Sequence, residues 1–128
     1  MDKMTYYICF STGIYFLGYT TYLPYNPYSF KGISTLEDYL AKMVNDTDIS
    51  ILNLFPLKTS PDTRHGKRIY QVVWTNGATI DNLKLMLDFD PLTTIGMGKL
   101  DTMVKQSAKF DKETVIMNII NLGQAEYK

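Results

Sequence analysis

The chain has 128 residues, 45% hydrophobic and 20% charged, a composition that suits one domain (residues 1–128) with a single buried core. Its 13 basic and 13 acidic side chains cancel, which tells against a protein built to coat nucleic acid. The one cysteine, Cys9, excludes an internal disulfide and any multi-cysteine metal site, and fits a reducing, cytoplasmic setting.

The first residues lack a basic segment followed by an aliphatic one, so no secretory leader is expected. From Met4 to Phe30 there is no charged side chain. That run is long enough for a membrane span. Gly13, Gly18, Pro24 and Pro27 make it a poor helix, and it reads as strands. Residues 5–11 and 14–22 are rich in aromatic and β-branched types, and Thr12-Gly13 between them predicts a tight hairpin. Apolar groups on both faces need cover, either from this chain or from a second copy in a homo-oligomer.

Residues 23–33 read as a loop. Tyr19, Tyr22, Tyr25 and Tyr28 recur every third residue, with Pro24 and Pro27 between them, the period of polyproline II. Ser34 and Glu37 form a capping box before a helix striped by Leu36, Tyr39, Leu40, Met43 and Val44, which Asn45 and Asp46 end. A strand is expected over Ile49–Phe55, a polar loop over 56–67, and a second strand over Arg68–Thr75 that pairs with the first as a long hairpin.

Asn76-Gly77 turns the chain, and Thr79 is read as the N-cap of a short helix through Leu87. Residues 88–98 form a connector. Helical spacing resumes over 99–108, and Asp111 caps a last helix with Val115, Ile116, Ile119 and Ile120 on one face and Gly123 after it. The predicted order is β-β-α-β-β-α-α-α, an α+β domain with helices on a mostly antiparallel sheet of about four strands. Beyond the tyrosine spacing no internal repeat is evident.

Two segments carry recognition chemistry. Tyr22, Tyr25, Tyr28 and Phe30 offer aromatic contact area, against the plainer reading of a loop packed back on the core. Arg64, His65, Lys67 and Arg68 cluster with no carboxylate between Asp62 and Asp81, suited to a phosphate or carboxylate unless they are a solvated loop tip. Gly96-Met97-Gly98-Lys99 lacks the upstream glycine and the Ser/Thr of a phosphate loop, so a plain connector outweighs an anion cradle at Lys99. Turn and capping roles outweigh Mg²⁺ binding at Asp46/Asp48 and Asp88/Asp90.

Catalytic sets are incomplete: His65 is the sole histidine, and neither a His-Glu-x-x-His nor a Gly-x-Ser-x-Gly motif occurs. No cofactor or metal is implied. The expected function is a small non-enzymatic binding or inhibitory module, of the kind common among phage and mobile-element accessory proteins. It engages a macromolecular partner, a protein first, through Tyr22, Tyr25, Tyr28, Phe30, Arg64, Lys67 and Arg68. The competing reading is a binder of a nucleotide or other phosphorylated small molecule, with Arg64, His65, Lys67, Arg68 and Lys99 on phosphate. Nucleic-acid binding and a small hydrolase or transferase using His65 or Asp90 rank below both.

Overall fold

Alternating aromatic and branched side chains make β1 (Met4–Ser11) an extended strand, and β2 (Phe16–Leu23) returns antiparallel to it. The Thr12 N–H donates to the Tyr15 carbonyl at 2.8 Å, and Thr12 Oγ1 accepts from the Tyr15 N–H at 2.9 Å. In this computed structural model, residues 4–13, 15–46, 48–58, 67–77, 79–107 and 114–124 are described. The chain divides into two compact units, Met1–Leu57 and Lys58–Lys128.

In the first unit, α1 (Phe30–Val44) leads from β2 to β3 (Ser50–Leu57), which pairs antiparallel with the other side of β1. The sheet order is β2-β1-β3. Tyr6, Ile8 and Phe10 of β1 form the core with Leu23 and with Leu36 and Leu40 of α1. Thr5, Tyr7 and Cys9, which point the other way, are also buried.

The helix begins earlier than its capping box predicts. Ser29 is the N-cap, and its Oγ accepts from the Gly32 N–H at 2.9 Å, while Ser34 lies inside the helix. Two local features fix this start. Asn26 Oδ1 accepts from the Tyr28 N–H at 2.9 Å, closing an Asx turn around Pro27. Gly32 lets the first turn lie against that bend, because a Cβ there would run into the Asn26 carbonyl. Asn45, at φ 55°, ends the helix as expected.

The second unit contains β4 (Arg68–Thr75), β5 (Ile80–Leu87), α2 (Thr94–Ser107) and β6 (Val115–Gln124), in the sheet order β5-β4-β6. It corrects several expectations. The segment after Thr79 is strand β5 rather than a helix: Leu83, Leu85 and Leu87 alternate with more exposed residues. The segment with Val115, Ile116, Ile119 and Ile120 is strand β6, and Asp111 lies outside the described residues. The connector over 88–98 is already helical from Thr94. β3 and β4 do not pair; they belong to different sheets. The fold is α+β, with two three-stranded antiparallel sheets rather than one sheet of four.

The units repeat one design, ββαβ with the first strand central, at an interval of half the chain length. The repeat is written in the sequence as Leu23-Pro-Tyr-Asn-Pro-Tyr-Ser-Phe-Lys-Gly32 against Leu87-Asp-Phe-Asp-Pro-Leu-Thr-Thr-Ile-Gly96. The bonds repeat too. Asp90 Oδ1 accepts from the Leu92 N–H at 2.9 Å, Thr93 Oγ1 from the Gly96 N–H at 2.8 Å, and a Cβ on Gly96 would strike the Asp90 carbonyl.

Both third strands slip register at one corresponding place, and β6 slips again between the partners of Arg68 and Tyr70. Cys9 faces Asn53 and Phe10 faces Ile51, while Val73 faces Asn118 and Trp74 faces Ile116. Leu52 and Met117 are the extra residues of these bulges. After each, the asparagine side chain accepts from the next N–H, Leu54 at 2.8 Å and Ile119 at 2.9 Å. Beyond α2 the correspondence runs one residue longer, so Ile51 matches Ile116 and Leu54 matches Ile119.

Candidate functional site

The aromatic segment of the first unit is divided by the fold. Tyr22 is on β2 opposite Thr5, so its side chain lies on the sheet face away from Tyr6 and α1, and it is exposed. Tyr25 packs against the core cluster, and burial raises its pKa above the ordinary value, with Tyr39 adding to the effect. Tyr19 also faces the core, with its hydroxyl 3.5 Å from that of Tyr39. The tyrosines thus do not line one edge, because strand, Asx turn and helix start each impose a different direction.

Tyr28 and Phe30 remain as neighbours at the start of α1. The Tyr28 ring meets Tyr6 edge-on at a centroid distance of 5.9 Å, and its hydroxyl donates to the Leu54 carbonyl at 3.1 Å. One ring face is thereby anchored while 57% of the residue stays exposed. Phe30 is 88% exposed, more than any other large hydrophobic among the described residues.

Of the basic cluster, Arg64 and His65 lie outside the described residues. Lys67 is exposed, and Arg68 is half-buried at the start of β4. Lys99 sits on the surface with its ammonium 5.1 Å over the Phe89 ring, a cation–π contact. Asp46 Oδ1 accepts from the Asp48 N–H at 2.9 Å, so it serves a turn. Among the described residues no group of three metal-ligating side chains forms, and no helix is long and apolar enough to cross a membrane.

Arg68 instead belongs to a cavity of about 320 Å³ in the second unit, lined also by Lys58, Tyr70, Asp90, Leu92 and Ile119. Lys58 reaches it because its N–H and carbonyl bond Leu92 and Thr94 across a short parallel bridge. Its ammonium lies 3.5 Å from Asp90 Oδ2. Arg68 Nε is buried without a hydrogen-bond partner among the described residues. Burial raises the Tyr70 pKa, Asp90 raises it further and Arg68 opposes them, so the phenol stays protonated and able to donate.

Sequence reasoning picks out Arg68 and misses Lys58, Tyr70 and Leu92 as neighbours of one cavity. The signal for them is the repeat itself, since Asn26-Pro27-Tyr28 and Asp90-Pro91-Leu92 occupy the same bend. Comparison of the chain with protein-family models, with curated proteins and with solved structures finds no match.

Proposed function

We propose that this chain is a small non-enzymatic binding module that docks a protein partner on the aromatic surface at the start of α1. The observation that carries this reading is Phe30, 88% exposed beside a Tyr28 that is fixed by Tyr6 and Leu54. An exposed phenylalanine gains nothing for its own fold, whereas next to a pre-positioned tyrosine it supplies area at little entropic cost on binding. Tyr22 adds exposed aromatic surface on the other sheet face and Tyr25 is spent on the core, so the contact set narrows to Tyr28 and Phe30. Each anchor is worth on the order of 2 kcal/mol when central to an interface.

The experiment compares partner retention by tagged wild-type protein, by Phe30→Ser and by Tyr28→Ala with Phe30→Ser. Any retained protein is then purified and titrated directly. The double variant is expected to keep its fold and lose the partner. Equal affinity of the wild type and a folded double variant defeats the reading.

A further inference from the structure

The two units differ at one point where their shared design makes a gap matter. In the first unit, Tyr28 spans from the ring of Tyr6 to the carbonyl of Leu54. The counterparts of those two residues are Tyr70 and Ile119, and both line the cavity of the second unit. The counterpart of Tyr28 itself is Leu92, which has neither the ring nor the hydroxyl to cross that distance. The cavity is the space that a tyrosine fills in the first unit.

Its walls have also changed character. Met4, whose sulfur accepts the Tyr6 hydroxyl at 3.7 Å, is replaced by Arg68, and Asn26 by Asp90. Lys58 is added from the segment before β4. Asp90 is engaged on both oxygens, by the Leu92 N–H and by Lys58. The other polar groups are the Arg68 guanidinium, the Lys58 ammonium that pairs with Asp90, the Tyr70 phenol and the Asn121 amide, whose Oδ1 already accepts from the Gly123 N–H, a set dominated by donors. An orphaned Arg68 Nε in a donor-rich cavity calls for an oxyanion.

We infer that this cavity is a binding site for a small planar aromatic molecule bearing a carboxylate or phosphate, its ring on Tyr70 where Tyr28 meets Tyr6 and its oxyanion at Arg68 and Lys58. The site shares no residue with the protein-docking surface at Tyr28 and Phe30, so either proposal stands or falls without the other.

The test is a titration with phenyl phosphate, benzoate and benzyl alcohol, followed by backbone amide shifts. Phenyl phosphate, benzoate or both are expected to shift the Tyr70, Leu92 and Asn121 amides saturably, and benzyl alcohol is not. Arg68→Met installs the residue of the first unit and weakens binding by about tenfold or more. Leu92→Tyr fills the cavity and abolishes binding, with Leu92→Phe as the smaller plug if that variant misfolds. Absence of a saturable shift with both anions, or undiminished binding in a folded Arg68→Met or plugged variant, overturns the inference.

Discussion

Ser29 and Thr93 each accept a hydrogen bond from the N–H of the glycine three residues on, Gly32 at 2.9 Å and Gly96 at 2.8 Å. Each hydroxyl also donates back to the residue before the proline, to the Asn26 carbonyl at 3.3 Å and the Asp90 carbonyl at 3.1 Å. One bend-and-cap device, used twice, sets where both helices start. It therefore sets where Tyr28 and Leu92 stand.

Removing either cap hydroxyl tests that device. Ser29→Ala and Thr93→Ala should each cost about 1 kcal/mol, measured by urea denaturation. Gly32→Ala and Gly96→Ala should cost more, because the added methyl meets backbone carbonyl oxygen in a buried turn. A Gly32→Ala variant as stable as wild type would show that the helix start is set elsewhere.

Exposure at Phe30 gives the opposite expectation. Phe30→Ser should change stability by no more than about 0.5 kcal/mol, whereas Leu40→Ala and Leu100→Ala, at fully buried helix positions, should each lose about 2–5 kcal/mol. Thermal unfolding of the three variants side by side separates a surface kept for contact from one that packs.

Cys9 is fully buried on β1, and burial pushes its thiol up to about 11 from 9.0. A folded-state pKa raised above the unfolded one contributes stability that is present below about 9 and is lost as pH rises toward 11. Stability should fall across that window, and fall less in Cys9→Ala. In native protein near about pH 8 a thiol reagent should react slowly, and quickly once the chain is denatured. Fast reaction of the native thiol would contradict the burial.

Much of the fold is legible in the sequence, and the misreadings have physical causes. β1 to β4 show themselves through branched and aromatic runs, and α1 through its apolar stripe. β6 imitates a helix because of its bulge. Ile116 faces Trp74 and Ile119 faces Val72, so residues three apart share a face of the strand, as they would on a helix. β5 keeps a period of two through Leu83, Leu85 and Leu87, but Lys84 and Asp81 give it a helix-like polarity.

The repeat is hidden for a different reason. Its exact identities are scattered, such as Tyr6 and Tyr70, Pro27 and Pro91, Gly32 and Gly96 or Leu36 and Leu100, and between them pairs such as Leu40 and Val104 share only apolar character. The candidate sites are legible only in part. Exposed aromatics are visible in the sequence as a cluster, but which of them face out depends on β2 ending and Asn26 turning. The cavity brings together Lys58, Arg68, Asp90 and Asn121, whose proximity only the topology of the second unit creates.

The most direct test is an experimental structure of Leu92→Tyr. If the two units are copies of one design, the introduced ring packs edge-on against Tyr70 and its hydroxyl donates to the Ile119 carbonyl, as Tyr28 does with Tyr6 and Leu54. A ring turned out to solvent, with the cavity between Tyr70, Ile119 and Arg68 still open, would contradict the correspondence on which the site rests.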